Sequence, residues 1–259
     1  MAGRVIIKAT NITQQFQIGE EVITPIKDAN FELLESSFNI IYGQSGSGKS
    51  TLLNILTGLQ RPSTGTVLFD EREVYKLSPD ELAFFRATRL GIVYQTNYWV
   101  QSLNTLENVS LPLYFLGYSR ARAAEVAQFA LDQVEMSSYA KKYPVLLSGG
   151  EQQRIAMARA LASSPLFIIA DEPTGSLDST NGDKIMHLLQ SAQHDSGRTI
   201  ILVTHNMEYL PFADHLLHIE DGHIEMLKHD SIKKATDTLF SQMQQRIARL
   251  NAIKKVNTK

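Results

Sequence analysis

Apolar positions along this chain follow two periods. Near the N-terminus they form short runs at strand spacing: Val5-Ile6-Ile7, Phe31-Glu32-Leu33-Leu34 and Phe38-Asn39-Ile40-Ile41. The last run reads as a buried strand that feeds straight into a glycine-rich loop. After Ser50 the stretch TLLNILTGL (51–59) is helical in period and stops at Gly58; RPSTGT (61–66) is a turn and VLFD (67–70) a strand. Ser78-Pro79-Asp80-Glu81 is a helix start, with proline in the first turn and acids near the positive end. Gly91-Ile92-Val93-Tyr94 is another strand. From about Thr105 to Ala162 the pattern turns helical, notably in ARAAEVAQFALDQVEM (121–136) and in EQQRIAMARALA (151–162), which begins right after two glycines. Strands and helices then alternate: LFIIAD (166–171), a helix around Asp183–Ala192, TIILVTH (199–205) and HLLHIEDG (215–222). Apolar strands between helices predict a mainly parallel sheet covered on both faces, interrupted by a helical insert near 96–163.

The tail changes the charge picture. The 259 residues carry a net charge of −2, but from Lys228 onward eight Lys/Arg and two Asp give +6, leaving −8 for residues 1–227. Such a tail suits an anionic neighbour such as a membrane face, although a solvated end is the simpler reading. Ile232, Ala235, Leu239, Phe240, Met243, Ile247 and Leu250 recur at helical spacing within Ser231–Leu250, as in an amphipathic helix packed on the core or, alternatively, on a partner. With 43% hydrophobic residues the chain can bury a core. Cysteine is absent, which excludes disulfides, thiolate metal sites and a cysteine nucleophile, and fits a reducing compartment. The N-terminus has no signal-peptide core, and no stretch approaches the ~18 apolar residues of a spanning helix, so any membrane role comes through a partner.

The chemistry lies in a few spaced elements. GQSGSGKS fits G-x-x-x-x-G-K-[ST] at every fixed position, between a strand and a helix. Gly43, Ser45, Gly46, Ser47, Gly48, Lys49, Ser50 and Thr51 form the candidate cradle for a triphosphate. The glycines free backbone N–H groups, and the helix N-terminus adds its dipole. Lys49 is expected to reach the β- and γ-phosphates and Ser50 to bind Mg²⁺. Phe167–Glu172 is an apolar strand ending in two acids: Asp171 suits a second-shell or water-mediated Mg²⁺ ligand, Glu172 a base for the attacking water. Alone, such acids read as solvated loop residues; beside the glycine loop they do not. Gln95 follows a strand end, where its amide could sense metal or water, and His205 ends another, within reach of a γ-phosphate. A second phosphate-facing element, LSGGE (147–151), opens a helix. One triphosphate does not need both, so two half-sites on one chain imply a nucleotide held between two copies. Asp178, in GSLD, is placed to contact the other copy and is otherwise a plain helix cap. His215, His218, His223 and His229 lack companions at ligand spacing. Phe84-Phe85 and Tyr98-Trp99 lack the basic interleaving of a nucleic-acid surface.

In order, GQSGSGKST, Gln95, LSGGEQQR, LFIIADEP, SLD and His205 resemble the ATPase subunit of an ABC transporter, over nearly all of the chain to about Leu227. The resemblance implies an α/β fold: a P-loop NTPase (RecA-like) core with an N-terminal antiparallel β-subdomain and an inserted α-helical subdomain. These would occupy residues 1–227, with a basic helical extension at 228–259. It implies a head-to-tail dimer in which ATP lies between the glycine loop of one copy and Ser148, Gly149 and Gly150 of the other. It also places Phe16 on the adenine, makes Glu172 the base and His205 a γ-phosphate switch, gives Gln95 a metal-sensing part, and makes ATP and Mg²⁺ the ligands. TLENVSLPLYFLGYSRARA and DEPTGSLDSTNGDKIMHLL are similar to the subgroup of lipoprotein-release, macrolide-export and cell-division ATPases. Those work on a separate membrane subunit, through a groove near residues 95–111, from the inner face of the cytoplasmic membrane. Where that subgroup more often has Phe-Asn, this chain has Asn97-Tyr98. The expected function is an ATPase subunit driving a membrane permease in export or mechanotransmission. The alternative is a regulator signalling to extracytoplasmic cell-wall hydrolases. Nucleic acid is not an expected partner.

Overall fold

The computed structural model describes residues 3–228, 231–234, 236, 238 and 241. Strands β1 (Val5–Ile18) and β2 (Glu21–Leu34) form a long antiparallel hairpin, each 14 residues, where the sequence suggested only short runs. Register shifts between Val5 and Phe16 explain the difference: each bulge flips the inward–outward alternation and breaks the period in the sequence. With β4 (Thr64–Phe69) and β5 (Arg72–Glu73), the hairpin makes a four-stranded antiparallel sheet in the order β2-β1-β4-β5. Pro25 lies in β2, an edge strand, where its missing N–H costs no ladder bond.

The second sheet runs β10-β9-β3-β8-β7-β6. Its strands β3 (Phe38–Gly43), β6 (Leu90–Val93), β7 (Phe167–Asp171), β8 (Thr199–Thr204) and β9 (His215–Glu220) pair in parallel, and β10 (His223–Lys228) is an antiparallel edge. Successive side chains leave opposite faces. Ile41, Ile169, Ile201 and Val203 face the antiparallel sheet and α1 (Lys49–Leu56). Ile40, Ile168, Ala170, Ile200 and Leu202 face α3 (Thr105–Phe115), α4 (Arg120–Gln133), α5 (Gly149–Leu161) and α6 (Ser179–His194). Helix α2 (Pro79–Arg89) sits by β6 and is opened by a capping box, Ser78 with Glu81.

The fold is therefore the α/β architecture implied above, a P-loop core with an antiparallel sheet and a helical part. Of the proposed tail helix, Ile232 is buried in the helix-side core; Ala235, Leu239, Phe240, Met243, Ile247 and Leu250 lie outside the described residues.

Candidate active site

The carboxyl ends of four parallel strands converge on one cleft of ≈ 940 Å³. The loop after β3 lines it with Gly43, Ser45, Gly46, Gly48, Lys49, Ser50 and Thr51. Gln95 comes from beyond β6, Asp171 and Glu172 from β7, and His205 from beyond β8. Parallel pairing aligns the strand tips, so residues far apart in sequence meet.

The loop is shaped by backbone rather than by side chains. Gly48 has φ 108°, and a Cβ there would lie 2.4 Å from the Pro25 carbonyl oxygen; one on Gly43 would lie 2.5 Å from that of Ile219. Gly48 caps α1 without any side-chain hydrogen bond, and the first turn holds no acid. The first-turn N–H groups have no intrahelical acceptor, so the end is open to an anion. Lys49 Nζ donates to the carbonyls of Gly43 and Gln44, both at 2.8 Å, which holds the ammonium over the loop.

The acids are held apart in kind. Burial pushes the Asp171 carboxyl above its ordinary value, the Glu172 charge raises it further, and Lys49 pulls it back. A cation would relieve that cost. Glu172 adopts left-handed backbone, φ 48°, unusual for a non-glycine residue. Its Oε1 lies 2.7 Å from His205 Nδ1. A side chain on Gly175 would meet Gln95 Nε2 at 3.6 Å and Glu172 Oε2 at 3.8 Å, so these two groups border the same space. The hydroxyl of Ser50, the amide oxygen of Gln95 and the Asp171 carboxylate are hard oxygen donors suited to Mg²⁺, an ion that takes few protein ligands and completes its shell from phosphates and water. No cluster of three His, Asp or Glu that could hold a metal ion occurs among the described residues.

The ABC transporter family matches residues 26–175, more than half of the chain and spanning the loop, LSGGE and both acids. The chain belongs to the ABC transporter ATP-binding family. An uncharacterized ABC transporter ATP-binding protein, MJ0796 of Methanocaldococcus jannaschii, is 40% identical over 85% of this chain and 95% of its own length. The MJ0796 cassette in a dimeric post-hydrolysis state with ADP and Pi superposes with a TM-score of 0.80, at 39% identity, covering 86% of this chain and 99% of that one. Macrolide export ATP-binding/permease proteins MacB, such as that of Shewanella sp., are 39% identical over 84% of this chain, which spans 33% of their length. The subgroup indicated by the sequence includes these exporters.

The rest of the cassette's expected site does not line the cleft. Ser148 caps α5: its Oγ accepts from Glu151 N at 3.4 Å and donates to Glu151 Oε2 at 2.8 Å. A Cβ on Gly149 would meet nothing nearer than Leu177 at 3.6 Å, whereas one on Gly150 would press on Asn181 at 2.7 Å. LSGGE and GSLD are thus neighbours. Asp178 caps α6, accepting from Asn181 N at 2.9 Å and Asn181 Nδ2 at 2.7 Å. Phe16 stands outside the cleft on β1, 38% exposed and opposite Ile23. Ser47 turns its hydroxyl inward, buried without a partner near Gly43. Pro25, Tyr42, Gln44 and Met207 also line the cleft; only Gln44, inside the motif, carried a sequence signal. No helix among the described residues is long and apolar enough to cross a membrane.

Proposed function

We propose that this ABC ATPase subunit binds two ATP between two copies and uses their hydrolysis to drive a separate membrane permease, in export or mechanotransmission, from the cytoplasmic face. Its working unit is residues 1–227, with the helical subdomain near 96–163 inserted in it and 228–259 as a basic extension. The observation that carries this reading is the separation of two phosphate-facing helix ends. The cleft at α1 holds the loop, the acids and His205, while Ser148, Gly149 and Gly150 open α5 away from that cleft. A second copy would bring Ser148, Gly149, Gly150 and Asp178 to the first copy's cleft. The dimeric MJ0796 cassette with ADP and Pi, and the permease-fused MacB relatives, support the same arrangement.

In this reading Lys49 leaves its two carbonyls for the β- and γ-phosphates, the N–H groups of Ser45–Thr51 cradle them, and Phe16 stacks on the adenine. Ser50, Gln95 and Asp171 would hold Mg²⁺, which when bound neutralises charge developing on the phosphates. Glu172 takes the proton of the attacking water, and His205, already at hydrogen-bond distance, orients that carboxylate and then contacts the γ-phosphate. Glu172→Gln should lower turnover by roughly 10²–10⁴-fold and leave an ATP-bound dimer that persists on size exclusion. Unchanged phosphate release by this variant would sink the assignment.

A further inference from the structure

Tyr42 is the last side chain of β3, one residue before the strand ends at Gly43. It leaves the sheet on the helix-facing side, as Phe38 and Ile40 do. The residue is only 8% exposed, yet it lines the nucleotide cleft together with Lys49, Glu172, His205 and Met207. The ring is held from one side. His218, its register partner on β9, stacks on it with centroids 5.8 Å apart and planes at 26°.

The hydroxyl at the end of this buried ring makes no hydrogen bond among the described residues. It is also not one of the side-chain atoms shut off from water without a partner, so it meets solvent. A buried tyrosine ordinarily finds a partner for its O–H. Burial pushes the phenol above its usual value, so it keeps its proton at neutral pH and acts as a donor. Such a donor on the wall of a cleft suits an acceptor that arrives with the ligand.

The sheet register identifies that acceptor. Thr204 on β8 pairs with Tyr42, and the preceding Val203 pairs with Asp171. Glu172 N donates to the Val203 carbonyl at 2.9 Å, which brings Glu172 level with Thr204. Two strand spacings, about 10 Å, thus separate Tyr42 from Glu172, and His205 follows Thr204 between them. On the loop side, Lys49 Nζ rests on the carbonyl of Gly43, the residue next to Tyr42. The part of a nucleotide that meets Lys49, Glu172 and His205 together is its terminal phosphate.

We propose that the Tyr42 hydroxyl donates a hydrogen bond to a terminal-phosphate oxygen of ATP, and that His218, stacked on the ring, is the positioning residue that aims it. This rests on the reading of the cleft as the site of ATP. ADP lacks that phosphate, so the contact favours ATP over ADP.

The test is calorimetric binding of ATP and of ADP, each with Mg²⁺, to the full chain carrying Glu172→Gln, which keeps ATP intact during the measurement. Tyr42→Phe retains the ring and removes only the donor. It should weaken ATP binding about tenfold or more and change ADP binding by less than about twofold. The melting midpoint of the nucleotide-free chain should stay within about 2 °C. His218→Ala should weaken ATP binding about threefold with ADP binding kept, and His218→Phe, which can still stack, should restore it. An unchanged ratio of the two affinities in Tyr42→Phe overturns the proposal. So does an equal loss for both nucleotides, which marks a structural role. An unchanged ratio in His218→Ala overturns the positioning role alone. Failure of both nucleotides to bind the chain with Tyr42 intact overturns the ATP-site reading as well.

Discussion

The helix ends at Gly48 and Ser148 both present N–H groups in positions suited to phosphate, yet they are finished in opposite ways. At α1 nothing caps the end: the N-cap is a left-handed glycine, the first turn has no acid, and a lysine stands at its start. At α5 the end is already satisfied, with Ser148 and Glu151 closing a reciprocal capping box and a carboxylate in the first turn. An anion arriving at α1 meets donors that lack partners. One arriving at α5 must displace a cap and approach a negative charge. The first end is open to an anion by itself; the second, already capped, is not. That asymmetry supports the proposed site shared between two copies.

Alanine scanning of the glycines should separate the two ends most sharply. Gly48→Ala meets the Pro25 carbonyl and a left-handed backbone together, and should cost about 2–4 kcal/mol. Gly149→Ala has open space and should stay within about 0.5 kcal/mol. Chemical denaturation of the nucleotide-free variants reads both, and equal costs would remove the contrast. A smaller effect is expected at the capped end. Ser148→Ala should lower stability by about 1 kcal/mol without changing the ATP affinity of the isolated chain, whereas Ser50→Ala should leave stability nearly untouched and weaken Mg²⁺-dependent nucleotide binding. Calorimetry on the two variants separates these outcomes.

Least in size, and opposite in sign, are the pH effects. Hydrogen bonds from Tyr139, then from Ser148, hold the Glu151 carboxyl below its ordinary value. Its contribution is present above that value and is lost as pH falls through the lowered one. Asp171, held high by burial and by Glu172, behaves the other way: its contribution is full at acid pH and is lost as pH rises through its raised value. Glu151→Gln should therefore blunt the acid-side loss of stability, and Asp171→Asn should stabilise the nucleotide-free chain at neutral pH. Thermal melts from pH 3 to 8 check both directions.

How much of this was legible in the sequence follows from how local each determinant is. GQSGSGKS, the buried strand before Asp171 and the glycines before α5 carry their signal within a few residues, so core, loop and helix starts could be read directly. The β1–β2 hairpin could not, because its register shifts break the alternation that marks a strand. Strand β10 was missed because its pairing partner β9 supplies much of its order. In the site, the Glu172–His205 contact joins residues 33 apart through the alignment of β7 and β8, which no spacing reveals. The stacking of Arg159 on Trp99 likewise depends on tertiary placement. Ser47 shows the converse: its backbone belongs to a legible motif, but its side chain turns away from the cleft.

The central claim, that the α5 end serves the nucleotide of another copy, is tested most directly by sedimentation of Glu172→Gln at saturating ATP and Mg²⁺, with and without Ser148→Arg. The account predicts a dimer holding two ATP for the single variant, and for the double variant a monomer that still binds one ATP with nearly unchanged affinity. A double variant that remains dimeric, or one that loses ATP binding as a monomer, would contradict it.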